Sequence, residues 1–165
     1  MSTPARPGKP PSRVEINWAG EGRFDAGRPG RPAIRIDTAA VTGPGPVDTL
    51  LCALGACTAE DVIAYHEKRR TPIRAMRIEA EGIRANAVPA RLVSIALTYH
   101  IDGEGIDSDH AQRAADLAVA RYCSVRDTLD AQLPISVCVV INGVRRADAG
   151  ADADGSAGTR ERVSG

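Results

Sequence analysis

Aromatic side chains are scarce in this chain, at 3% of residues: one Trp, one Phe and three Tyr. Any core must therefore be filled by Ile, Val, Leu and Ala, and the 43% hydrophobic content supplies enough of them for one domain of 165 residues. Net charge is absent too, with 21 basic residues against 21 acidic ones. That balance gives no electrostatic footprint for nucleic acid or an anionic membrane. No run of 18 apolar residues exists, so no membrane-spanning helix is expected. The Pro-rich start (Pro4, Pro7, Pro10, Pro11) lacks the apolar stretch of a secretory signal, which points to the cytoplasm. Walker loops, GxGxxG and GxSxG are missing, and without CxxC or HxxxH the spacings argue against a metal site. No cofactor is called for.

Both ends are poor in apolar residues. Residues 1–12 and 146–165 are expected to be disordered tails flanking a domain over 13–145. Within it, Val14, Ile16 and Trp18 alternate with polar residues, the period of a half-buried strand. Glycines 20, 22, 27 and 30 mark turns around a short second strand, and Ile34 and Ile36 share a face of a third. Pro46 suits the first turn of a helix, where its missing N–H would be unpaired, and Asp48 complements the dipole there. The helix is predicted from about Val47 to Arg69, stopped by Thr71-Pro72. Its first half, Leu50 to Ala59, is apolar on nearly every side and should be buried all round, whereas Glu60 to Arg70 should be half solvated. Two long alternating strands follow, around 76–80 and 93–101. Asp107 or Ser108 then caps a second helix reaching Tyr122, with Ala111, Ala114, Ala115, Ala118 and Tyr122 as its apolar face. Ser124 can cap a short third helix, and Pro134 opens a last strand, Ile135 to Ile141. The order β-β-β-α-β-β-α-α-β is an α+β pattern.

Four cysteines carry the candidate chemistry, because structural disulfides are rare in the cytoplasm. Cys57 lies mid-helix beside Gly55 and Ala56, which leave room for close approach; a buried packing thiol is the competing reading. Cys123 sits at a junction between helices, where a helix N-terminus lowers a thiol pKa; a buried cysteine is again the alternative. Cys52 and Cys138 read as core residues, and His66, His100 and His110 as surface histidines. Arg23, in a Gly-rich turn, is either a solvated loop residue or a cation carried into a site.

The segment 46–62, Pro-Val-Asp-Thr-Leu-Leu-Cys-Ala-Leu-Gly-Ala-Cys-Thr-Ala-Glu-Asp-Val, resembles the central-helix motif of the OsmC/Ohr superfamily. Arg-Tyr-Cys-Ser-Val (121–125) resembles the motif that carries its second cysteine. The wording is closer to the OsmC-like branch than to Ohr proper. The resemblance implies antiparallel sheets wrapped around long central helices in an intertwined homodimer. It implies a thiol-dependent peroxidase of organic hydroperoxides, with Cys57 as peroxidatic and Cys123 as resolving cysteine. An external dithiol, a lipoylated protein in some members, would be the reductant. Arg23 would match the family's peroxide-orienting arginine. The family's first-turn acid falls at position 47, whereas here Val47 stands there and Asp48 follows, about 100° further around the helix. A binding protein or a cysteine redox sensor on the same scaffold are the two other readings.

Overall fold

The structure, a computed structural model, describes residues 10–145. The two expected tails lie outside the described residues apart from 10–12, which are exposed and belong to no strand or helix. Two compact units are present, one up to Leu50 and one from Leu51.

The first unit is a three-stranded antiparallel meander: β1 (Glu15–Trp18), β2 (Arg23–Gly27) and β3 (Ile34–Asp37), with β2 in the middle. Arg23 is therefore the first residue of a strand, paired with Asp37, rather than a turn residue. Gly20 and Gly22 at positive φ, with Glu21 between them, make the turn so tight that β2 begins at once. Beyond β3, Asp37 organises the following loop. Its carboxylate accepts hydrogen bonds from the backbone N–H of Ala39 and Thr42 and from the Thr42 hydroxyl, at 2.8–2.9 Å. These bonds draw its pKa down to about 2.

Helix α1 runs Pro46–Lys68, with Pro46 in its first turn as the sequence predicts. Its end is a Schellman turn: Thr71 N–H reaches His66 C=O, Arg70 N–H reaches Glu67 C=O, and Arg70 sits at φ 59°.

The second unit holds a four-stranded sheet in the order β4 (Ala75–Arg84), β5 (Leu92–Asp102), β6 (Ile135–Ile141) and β7 (Val144–Arg145). β4 and β5 pair antiparallel over their whole length. β5 and β6 pair in parallel, Ile95 opposite Ile135 through Ile101 opposite Ile141, which corrects the expectation of purely antiparallel sheets. The reason is the connection: α2 (Ser108–Leu117), a π-helical turn (Ala118–Tyr122) and α3 (Ser124–Thr128) carry the chain back to the end at which β5 began. Ile95, Leu97, Tyr99 and Ile101 of β5 are all buried, so alternation placed the core correctly. Against them lie Leu51, Leu54 and Val62 of α1 and the small residues Ala111, Ala114, Ala115 and Ala118.

Along α1 the buried residues are Leu51, Leu54, Gly55, Thr58, Val62 and His66, a single stripe at helical spacing. The first half is thus not buried all round: Cys52, Ala53 and Ala56 are exposed, and Leu50 is 37% exposed. Cys52 is consequently not a core residue in the chain taken alone. Among the described residues, no helix is long and apolar enough to cross a membrane.

Candidate active site

Cys57 projects from α1 at the edge of the buried stripe and is partly exposed, one residue before the fully buried Thr58. Thr58 fixes that segment of helix. Its hydroxyl lies 3.0 Å from the carbonyls of Leu54 and Gly55, and it accepts a 2.6 Å hydrogen bond from the buried Tyr99 hydroxyl on β5. Burial pushes the Tyr99 phenol up to about 12, so it stays a neutral donor. Gly55 is less crowded than expected. A methyl group added there would meet Ile78 Cγ2 at 3.7 Å, an ordinary contact, so Gly55 opens no tight approach to β4.

Cys123 is delivered by the π-helical turn. Its backbone N–H bonds to Ala118 C=O, five residues back, at 3.0 Å. The wider turn rotates the residues that follow relative to α2. Tyr122, expected on the apolar face, is instead 60% exposed, and Cys123 is 3% exposed. The sulfur of Cys123 caps α3, accepting from Arg126 N–H at 3.3 Å, so the cap is Cys123 rather than Ser124. The two thiols lie in one neighbourhood: Cys57 packs against the core cluster that holds Cys123, and it is among the groups that perturb the Cys123 thiol. Burial first, and then Cys57, push the Cys123 thiol up to about 11, against the smaller opposing pull of the Arg126 and Val125 N–H groups. The expectation of a lowered Cys123 pKa is therefore overturned: desolvation outweighs a helix of five residues. Both cysteines are free.

Arg23 and Asp48 belong to the first unit. The Arg23 guanidinium pairs with Glu21 at 2.8 Å, while its Nε is buried without a partner. The Asp48 carboxylate accepts from Gly45 N–H at 2.9 Å, half of a capping box on α1. Among the described residues no group of three or more His, Cys, Asp or Glu is arranged to hold a metal ion. His66 is 1% exposed, not a surface histidine. It lies four residues after Val62 on the buried stripe, a spacing already visible in the sequence. Its Nδ1 is 3.0 Å from the Thr71 hydroxyl, its Nε2 is unpartnered, and burial lowers its pKa. His100 and His110 do lie nearer the surface, beside Glu79 and Asp107. Cys138, on β6, is half-buried and accepts from Arg145 at 3.4 Å.

Three features near the thiols were not singled out from sequence: Tyr99, Arg121 and Arg126. Tyr99 stood on the apolar side of an alternating strand, where a hydroxyl demands a buried partner. Arg121 and Arg126 flank Cys123 in the chain, but only the π-helical turn decides which way they face.

The family model for OsmC-like proteins matches residues 38–137, which contain both thiols. Protein YhfA of Escherichia coli K12 is 28% identical over 93 residues, 56% of this chain and 69% of that one. A hypothetical protein of Aquifex aeolicus VF5 superimposes with a TM-score of 0.72 at 21% identity, covering 81% of this chain and 98% of that one. The organic hydroperoxide resistance protein OhrB of Bacillus subtilis does so with a TM-score of 0.54 at 16% identity, covering 78% and 96%. At such identities the two structures establish a shared fold. With more than half of its length matched by the family model, the chain belongs to the OsmC-like protein family.

Proposed function

We propose that the protein is a thiol-dependent peroxidase that reduces organic hydroperoxides. The observation that carries this reading is the pair of free cysteines, Cys57 half-buried on α1 and packed against the core cluster in which Cys123 is buried. The fold shared with an organic hydroperoxide resistance protein agrees with it. The Cys57 thiolate attacks the outer oxygen of the hydroperoxide. The O–O bond breaks, Cys57 becomes a sulfenic acid, and the alkoxide takes a proton to leave as an alcohol. Cys123 keeps its proton and so does not compete for peroxide. Its sulfur then attacks the Cys57 sulfenic acid; the hydroxyl leaves with the Cys123 proton as water, and a disulfide forms. An external dithiol returns both cysteines to thiols and becomes a disulfide itself.

The reading draws on the two thiols alone. Whether Arg23 and Asp48 orient the peroxide is decided by kcat/KM of Arg23→Ala and Asp48→Asn for an organic hydroperoxide. The partner is taken to be a second copy of the chain. Ala53, Ala56 and Ile63 leave an apolar face of α1 bare, on a helix whose sequence is apolar on nearly every side. Light scattering that returns a monomer mass rejects that assignment.

The functional test is reduction of cumene or tert-butyl hydroperoxide coupled to dithiothreitol. Cys57→Ser abolishes turnover. Cys123→Ser reacts with a first equivalent of peroxide to give a Cys57 sulfenic acid that forms no Cys57–Cys123 disulfide, and a further equivalent overoxidises it. Full activity in Cys57→Ser rejects the assignment.

A further inference from the structure

Cys123 has a second face that the peroxide reaction does not use. A cleft of about 280 Å³ opens beside it, between the π-helical turn and α3. Its lining includes Val119, Arg121, Cys123, Arg126, Leu129 and Ile135, and Cys57 does not line it. Arg126 builds one wall, donating to the carbonyls of Asp130, Ala131 and Leu133 at 3.1–3.4 Å, so its guanidinium is spent on holding the 130–133 loop. Arg121 is exposed at the cleft, opposed by one carboxylate, Asp127. The cleft thus offers a mixed polar and apolar lining, two arginine charges against one carboxylate, and a cysteine.

The geometry points to this cleft as the docking site of the reductant, a dithiol bearing an anionic group, whose first sulfur attacks Cys123 and expels Cys57. The inference rests on the thiol-peroxidase reading and names the route of its reducing half. Thiolate attack on a disulfide needs the incoming sulfur opposite the leaving one. A thiol in the cleft meets Cys123 on a side that Cys57 does not line, so Cys57 is placed to leave. Leaving-group chemistry agrees: a thiol whose pKa lies near 11 leaves poorly, which disfavours attack at Cys57 with Cys123 departing. In the first step the reductant sulfur bonds to Cys123, the Cys57–Cys123 bond breaks, and the electron pair goes to Cys57. In the second, the reductant's other thiol attacks the mixed disulfide, Cys123 takes a proton, and the reductant is released as a disulfide.

The test separates this half from peroxide chemistry by forming the Cys57–Cys123 disulfide with diamide. If diamide links the pair but peroxide does not, the peroxidase reading fails and the route stays testable. The oxidised protein is treated with 3-mercaptopropionate, 2-mercaptoethanol or cysteamine, quenched in acid and mapped by mass. Rates are compared after correction for thiolate fraction. The mixed disulfide is expected on Cys123, with the anionic thiol about 5-fold faster than the cationic one, the worth of roughly 1 kcal/mol of charge attraction. Arg121→Glu reverses that order. Ala120→Trp, an exposed position lining the cleft, slows reduction by every thiol but leaves the rate of peroxide consumption in a single turnover unchanged. A mixed disulfide on Cys57, a thiol order indifferent to Arg121→Glu, or no disulfide with diamide overturns the inference.

Discussion

The Tyr99–Thr58 hydrogen bond ties the Cys57 segment of α1 to the centre of the sheet, and its worth can be worked out from what each deletion leaves behind. Both side chains are fully buried, and the bond is short at 2.6 Å. Thr58→Val keeps the shape of the side chain but strips the acceptor, so a buried phenol hydroxyl is left with no partner; that costs about 2–3 kcal/mol. Tyr99→Phe is milder. The Thr58 hydroxyl still has the Leu54 and Gly55 carbonyls to donate to, so the loss is about 1 kcal/mol. In the double variant no polar group is orphaned, and the total should return to about 1–2 kcal/mol rather than the 3–4 kcal/mol of the sum. The coupling is then roughly 2 kcal/mol, within the range for contacting residues. Urea titration at fixed protein concentration measures it. Far-UV circular dichroism is the suitable probe, because the single Trp, Trp18, reports on the other unit. Additivity within about 0.5 kcal/mol, or a larger loss in Tyr99→Phe than in Thr58→Val, refutes the reasoning.

Gly55→Ala should raise stability by about 0.5–1 kcal/mol in the same titration, since the added methyl meets only Ile78 at 3.7 Å and an interior helix glycine is unfavourable. Acid should weaken the second unit through His66. Its folded pKa lies below 6.5, so the unfolded chain binds the proton first, and stability falls as pH drops below about 6.5. His66→Phe should flatten that pH dependence in urea midpoints measured between pH 5 and 8. Asp37 acts lower on the scale. Its folded pKa, near 2, is below the ordinary 3.8, so its contribution is complete above about pH 4 and is lost as pH falls toward 2. Trp18 fluorescence against pH, compared between wild type and Asp37→Asn, reads this directly, the variant lacking the step.

Most of the element order could be read from periodicity. Strands β1, β3 and β5 alternate in sequence, β6 is a β-branched run opened by Pro134, and α1 begins one residue before and ends one residue before the positions its caps suggest. What escaped has particular causes. The parallel pairing of β5 with β6 depends on where α2 and α3 return the chain, which no local pattern encodes. The π-helical turn is one residue of phase inserted into an alanine-rich stripe, and alanines at every spacing hide the shift. His66 was misplaced because Glu60 to Arg70 was weighed by composition, when its spacing from Thr58 and Val62 already put it on the buried side. For the site, the Cys57 and Cys123 motifs were legible as a pair. Arg23 and Asp48 were legible only as residue types, and their engagement with Glu21 and Gly45 was not.

The two cysteines differ because two effects compete at Cys123, and their ranking gives the site its direction. A helix N-terminus favours thiolate, and Cys123 does receive backbone N–H donation from α3. That helix has only five residues, so little dipole accumulates, whereas Cys123 is 3% exposed and burial penalises its thiolate. Desolvation wins, and the proton stays on Cys123. Had α2 continued regularly through residue 122, Tyr122 would have met the core, and Cys123 would have turned away from it. The π-helical turn therefore settles both that Cys123 is buried and that it joins the core cluster against which Cys57 packs. Once buried, a thiol that holds its proton is a poor nucleophile toward peroxide, a ready proton source for departing hydroxide and a poor leaving group. On the proposed peroxidase reading, that one change of helical phase would order the sulfur chemistry: Cys57 oxidised first, Cys123 closing the disulfide, and Cys57 released first on reduction.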